Sequence, residues 1–255
     1  MHDCSLSWRG CGLSFGEGER RIRILGRFVR AGKLLPETVR LCEVCAEMTA
    51  MSGAGIMLVA EGTSRGSICT TNSVSETIEE LQFALGEGPC IDACREDRPV
   101  LEPDLVSPVM NRWFAFTPLA IAAGARAVFG FPIRVGAVGV GALNLYRDRP
   151  GPLTAEQHAD ALVLSVVAAE FILALQADAP PGELATELGA GARLHYVVHQ
   201  ASGMVAAQLG IAVDHATLRL QAFAFANERT LIDVARSVVN RTLRFDPSNE
   251  TDTSN

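Results

Sequence analysis

Four cysteines stand at spacings that could do thiol chemistry: Cys42 and Cys45 form a Cys-x-x-Cys pair, and Cys90 and Cys94 lie four residues apart. Two such pairs could supply the thiolates of a structural zinc site, or a nucleophilic thiol with a resolving partner. Cys90 follows Pro89 at a predicted helix start, where the dipole favours a thiolate, and Cys94 is one turn on. Against the metal reading, Cys42 and Cys45 fall on one apolar helical face with Val39 and Ala46, and a buried cysteine packs as a small hydrophobe. Seven cysteines, an odd number, also argue against a complete disulfide framework. No metal is expected. Glu87 and Asp92 flank Cys90, placed either to orient a polar ligand or to satisfy backbone groups of the turn and helix. Met57, Trp113, Phe116 and Phe129 join Glu87, Cys90 and Asp92 as candidates for a ligand pocket, although aromatic residues at such spacings, Phe131 among them, usually build core.

No other catalytic arrangement is present. The chain lacks Gly-x-x-x-x-Gly-Lys and His-Glu-x-x-His, and Gly136-x-x-Gly139-x-Gly141 sits inside a hairpin rather than opening a helix. No catalytic residue is assigned, and binding is expected in place of bond-making.

The elements that must position these residues read as α+β. Pro36 to Met48 has helical spacing, Ala54 to Ala60 (AGIMLVA) is a continuous apolar strand, and Ser67 to Thr71 is its candidate partner. Ser73-Val-Ser-Glu76 has capping-box spacing ahead of Ile78, Leu81 and Phe83. Arg126 to Val135 and Val138 to Tyr146 flank Gly136-Ala137 as a hairpin. Thr154-Ala-Glu-Gln157 is a second capping box, opening a helix to about Leu175.

After the Pro-rich ADAPPGE stretch, three apolar stripes follow: Ala201, Gly203, Met204 and Val205; Ala216, Leu218, Leu220 and Ala224; and Leu231, Val234, Ala235, Val238 and Val239. Gly210 should end the first of these helices and Asp214 should cap the second. Charge divides along the same line. From Arg193 to Arg244 six arginines face only Asp214, Glu228 and Asp233, while the whole chain carries a formal charge of −7. A basic helical end on an acidic body suits contact with a polyanion at that end alone.

The run His199-Gln200-Ala201-Ser202-Gly203-Met204, with Ala216, Leu220, Ala224 and Leu231-x-Asp233-Val234-Ala235, resembles an ANTAR domain, the RNA-binding output module of bacterial transcription antiterminators. The resemblance implies a dimer that grips RNA bearing paired small hairpins. It places RNA contacts at His199, Gln200, Ala201, Ser202, Gly203, Arg219, Gln221, Ala224, Arg229 and Arg236. Two positions depart from the family: Gln221 stands where arginine is common, and Ser202 where lysine or threonine is usual, so two potential phosphate contacts are absent.

Upstream, Gly53-Ala-Gly-Ile-Met57, Leu85-Gly-Glu-Gly-Pro-Cys90, Arg98-Pro-Val100, Arg112-Trp113 with Phe116, Gly130-Phe-Pro132 and Gly141-Ala-Leu-Asn-Leu-Tyr146 are similar to a GAF sensory domain. The joint resemblance implies an N-terminal GAF domain, an antiparallel sheet flanked by helices, followed by an all-α three-helix ANTAR domain. It divides the chain into a poorly ordered leader of uncertain role (1–33), the GAF domain (34–176), a joint (177–183), the helical domain (184–245) and a disordered tail (246–255). A small-molecule effector of unidentified chemistry and a homodimer through the helices at 154–175 and 184–208 are implied as well, with no cofactor identified.

Some free-standing GAF proteins reduce free methionine sulfoxide, which makes Cys90 and Cys94 a rival enzymatic centre or a redox sensor. A DNA-binding regulator is the other alternative, although Ala222-Phe-Ala-Phe225 is too apolar for a usual recognition helix. With no run of eighteen uninterrupted apolar residues and no apolar leader, a cytoplasmic protein without a membrane segment is expected. The basic run Glu19-Arg20-Arg21-Ile22-Arg23 reads as a solvated leader rather than a nucleic-acid contact.

Overall fold

A computed structural model describes residues 15–30, 37–60, 63–108, 112–177, 186–227 and 229–246. In chain order the elements are α1 (Phe15–Arg30), α2 (Glu37–Thr49), β1 (Gly53–Ala60), β2 (Thr63–Thr70), α3 (Ser73–Leu85), α4 (Pro89–Glu96), β3 (Val100–Glu102), α5 (Phe116–Ala122), β4 (Ala127–Val135), β5 (Val138–Arg147), α6 (Ala155–Ala177), α7 (Thr186–Leu209), α8 (Val213–Ala226) and α9 (Leu231–Val239).

The five strands form one antiparallel sheet in the order β2-β1-β5-β4-β3. Helices cover both faces, so β1 is apolar throughout rather than alternating. Successive residues still point to opposite sides. Ile56, Leu58, Phe129, Phe131, Ile133, Leu143 and Leu145 meet α2 and α6, whose Leu41, Val44, Leu164 and Val167 complete that core. On the other face Val128 and Tyr146 meet Ile78, Trp113 and Phe116, and Met57 and Ala142 meet Cys90.

The hairpin turns at Gly136, as predicted, with φ +60°. Thr154 and Gln157 form the expected reciprocal cap on α6: the Gln157 amide donates to Thr154 Oγ1 at 3.1 Å and the Thr154 amide to Gln157 Oε1 at 3.0 Å. The cap of α3 lies one residue earlier than its spacing suggested. Asn72 accepts from the Ser75 amide and Ser75 Oγ accepts from the Asn72 amide, because the Asn72 amide oxygen reaches the N3 donor from an extended backbone.

Two expectations are corrected at this point. The segment read as a poorly ordered leader contains α1, whose Ile24 is fully buried and whose Arg20 and Arg23 both donate to Asp160 on α6, at 2.5 and 2.7 Å. Its basic run is therefore spent on the body of the molecule. Cys42 is bonded to Cys69, joining α2 to β2, since the two Cα atoms stand 6.2 Å apart where helix crosses strand. α6 is long and apolar enough by length and composition to cross a membrane, yet Ala161, Leu164, Val167 and Ala168 pack it against the sheet. The joint at 177–183 falls almost wholly outside the described residues, as does the tail beyond 246.

The last three helices close a separate core around Val198, Val205, Ala216, Leu220, Leu231, Val234 and Val238. Gly210 ends α7 in the left-handed conformation, φ +66°, as expected of a C′ glycine. Asp214 is not the cap of α8. Ala212, extended and without a side-chain bond, takes that position, and Asp214 lies in the first turn, where it still complements the helix dipole.

Candidate functional site

The proposed pocket residues do not gather around one cavity. Strand alternation sends Phe129 to the face opposite Trp113 and Phe116, where it lines a cavity of about 470 Å³ with Leu101, Pro103, Leu153 and His158. Trp113 and Phe116 pack edge to face at 5.8 Å in the core beneath α3 and α5. Asp92, 7% exposed, accepts from Trp113 Nε1 at 2.9 Å and from Arg95 at 3.0 Å, with Arg112 at 3.5 Å. The Glu87 carboxylate accepts from the amides of Ala115 and Phe116 at 3.0 and 3.1 Å and so caps α5. Both acids hold the loop and helices together, but neither caps the helix at Pro89: Glu87 takes amides of α5, and Asp92 takes side chains.

Cys90 is fully buried between Met57 and Ala142. Burial, Glu79 and Cys94 push its thiol well above the ordinary range, against a weaker opposing bond to Gln82. Burial likewise pushes Cys94 up to about 11, and its Sγ donates to Gly141 O at 3.3 Å. The thiolate expected from the helix dipole is thus overridden, because loss of solvation outweighs a terminal dipole when the sulfur is enclosed. Cys45, also enclosed, is pushed up to about 12. Among the described residues no three His, Cys, Asp or Glu side chains converge as a metal site.

Sequence reasoning missed the polar group that does converge here. Glu79 and Gln82 on α3 and Asn144 on β5 are almost fully buried. No hydrogen bond of ordinary geometry satisfies either Glu79 oxygen, the polar atoms of the Asn144 amide or Gln82 Nε2, although Asn144 faces Glu79 closely enough to favour its charged form. Gln82 Oε1 is taken by the Cys90 amide at 2.7 Å. Gly55 makes the cluster possible, since a Cβ there would stand 2.8 Å from Glu79 Oε1. Burial pushes the Glu79 carboxyl up to about 8, with Asn144 moderating the rise. The signal was present in the periodicity: Ser75, Ile78, Glu79, Gln82 and Phe83 share the inward face of α3, and three of them are polar where apolar residues belong.

The GAF domain profile matches residues 38–174, the span from α2 through most of α6. The chain belongs to the GAF domain family. The GAF fold is similar to the GAF domain from a phosphoenolpyruvate-protein phosphotransferase of Coxiella burnetii, at 15% identity over 63% of this chain and 95% of that one, TM-score 0.48. It is similar also to the corresponding Acinetobacter domain, at 13% identity over 65% and 98%, TM-score 0.47. The type II free methionine-R-sulfoxide reductase of Thermoplasma acidophilum matches at 15% identity over 60% and 92%, TM-score 0.42. No curated protein matches the chain.

Beyond the GAF domain, the C-terminal bundle separates its candidate RNA contacts into two groups. Gln200, Gly203, Arg219, Arg229 and Arg236 are exposed. Ala201, Ser202 and Ala224 are buried in the seam between helices, so their side chains serve packing rather than contact. Ser202 Oγ donates to Val198 O and accepts from Thr217 Oγ1, both at 2.9 Å, which accounts for a small uncharged residue at that position. Arg229 donates to Ser237 Oγ at 2.8 Å and to Asp233 O at 3.2 Å, bracing the α8–α9 corner. Gln221 turns to the GAF domain, its Nε2 donating to Phe83 O at 2.9 Å, and His199 meets the Phe83 ring edge-on at 6.1 Å.

Proposed function

We propose that this GAF protein is a signal-responsive RNA-binding regulator, whose C-terminal bundle binds paired hairpins in nascent transcripts and promotes antitermination. The observation that carries the reading is the bundle itself: a three-helix unit with its own apolar core, continuous with a sensory domain and presenting Gln200, Arg219 and Arg236 on its surface. Its residues are those that resemble an ANTAR domain. Exposed arginine can meet phosphate, and a hairpin loop offers splayed bases. The bundle takes residues 184–245 as the output domain, 34–176 as the sensor and 177–183 as the joint, in a cytoplasmic protein.

The Glu79–Gln82–Asn144 cluster is the effector site in this reading, because unpartnered buried polar atoms are what a small hydrogen-bonding guest would satisfy. A homodimer would form through α6, whose Leu162, Val166 and Leu173 are exposed along one stripe, with Ile22 and Leu25 of α1 beside it. Two bundles in one dimer would hold two hairpins at high effective concentration.

Electrophoretic retardation of a two-hairpin leader RNA tests the function. Retardation that weakens steeply with salt and exceeds that of duplex DNA of equal length supports it; no retardation at low salt removes it, and preference for the duplex replaces it with a DNA-binding regulator. Light scattering tests the dimer. Sulfoxide-dependent oxidation of NADPH through a thioredoxin system would instead establish the reductase.

A further inference from the structure

Phe83 belongs to α3 of the GAF domain, but its ring lies outside the GAF core. It is 7% exposed and packs with Val198, Ala201 and Leu220 of the C-terminal bundle, with Ala84 beside it. His199 closes over it edge-on, the ring planes at 81°. Its carbonyl accepts from Gln221, and the left-handed Gly86 leaves that side chain room, with Gln221 Oε1 3.9 Å from where a Cβ would stand. α7 also runs beside the edge strand β2.

We infer that the C-terminal end of α3 is a docking site for the bundle, and that the sensor and RNA compete for His199 and Gln221. The inference rests on the RNA-binding reading and adds its regulation. In the docked arrangement both side chains are engaged by the GAF domain, so RNA can use them only after Phe83 leaves. At the end of α3 the docking is one ring and one hydrogen bond, with α7 laid along β2 as the rest of the seam, while Val205, Leu231, Val234 and Val238 keep the bundle closed without it. Separation therefore costs neither unit its own core. The helix that carries Phe83 carries Glu79 one turn earlier and Gln82 immediately before it, so a guest bound at the buried cluster acts on the same rod. By linkage, whatever favours the undocked form raises RNA affinity, and RNA favours the undocked form to the same degree.

The test uses the full chain with Phe83→Ser and Phe83→Leu. Hydrogen exchange is followed in peptides covering 79–88, 196–204 and, as a folding control, 127–147; affinity is measured for the two-hairpin RNA. Phe83→Ser should speed exchange at 79–88 and 196–204, leave 127–147 unchanged, and raise RNA affinity about tenfold, with Phe83→Leu between it and the parent. If 127–147 is also exposed in Phe83→Ser, the same criteria are applied to Phe83→Leu, which keeps an apolar side chain. Unchanged exchange at 196–204 overturns the docking. Faster exchange without an affinity gain, in a parent that binds RNA, overturns the competition. Faster exchange when neither protein binds RNA supports the docking and removes the RNA reading alone.

Discussion

Gln221 Nε2 donates to the carbonyl of Phe83 at 2.9 Å, joining residues 138 positions apart. The bond links the last turn of a GAF helix to the middle of α8. It also gives a physical role to the residue at which this chain departs from its resembled family: an arginine at 221 would bring a charge to a half-buried carbonyl already flanked by an apolar ring.

Gln221→Ala should leave the Phe83 carbonyl without its partner and cost about 1 kcal/mol. Gln221→Glu should cost more at neutral pH, since it sets an acceptor against an acceptor. Urea unfolding of the two variants beside the parent gives the order; equal midpoints for all three would show that the bond contributes nothing.

Glu79 should make stability fall with pH. Its folded pKa of about 8 lies above the ordinary 4.5, so the native chain binds more protons than the unfolded one between those values. The contribution of the neutral carboxyl is complete below pH 4.5 and is lost as pH rises toward 8, on the order of 5 kcal/mol at most. Glu79→Gln keeps the shape without the proton. Its melting temperature should exceed the parent's near pH 8 and change less from pH 5 to 8, and parallel profiles would refute the assignment.

Asp160 binds two arginines of α1 and is 5% exposed. Asp160→Asn should cost about 1–2 kcal/mol, discounted from a fully buried pair because the Arg20 and Arg23 side chains remain 22% and 53% exposed. Proteolysis of α1 should accelerate in this variant; resistance equal to the parent's would mean that Ile24, Phe28 and the Arg21–Glu170 pair hold the helix without it.

The Cys42–Cys69 bond closes a loop with a sequence separation of 27. Replacing both residues by serine should lower stability by about 3 kcal/mol. Thiol titration under denaturing conditions should find two further thiols after reduction, and no increase would show that the bond is not formed.

Cys90 should resist alkylation in the folded protein at neutral pH, because its enclosed thiol stays protonated. Mass spectrometry after iodoacetamide treatment reads this directly. Fast labelling at Cys90 would restore the case for a reactive centre.

Four of the five strands, the Gly136 hairpin, the Thr154–Gln157 cap and the three C-terminal helices were legible in the sequence, because each follows from local period, turn chemistry or capping; the three-residue β3 is too short to show a period. So was the buried apolar face of α2. The Cys42–Cys69 bond was not legible, since it depends on where α2 crosses β2 rather than on any spacing along the chain. Phe129 was grouped with Trp113 because both are aromatic; strand alternation set them on opposite faces of the sheet. The dipole at Pro89 argued for a reactive Cys90, and enclosure reversed it. The polar residues of the α3 face were visible as breaks in the apolar period, but only the sheet showed Asn144 meeting them beneath Gly55. The sequence by itself determined most of the elements, though not α1, β3 or α5, and the GAF family, since hydrophobic period and turn residues act over a few positions. Tertiary structure alone decided which side chains lost water, and burial is what turned acids into braces, a thiol into core, and Gln221 into a tether between domains.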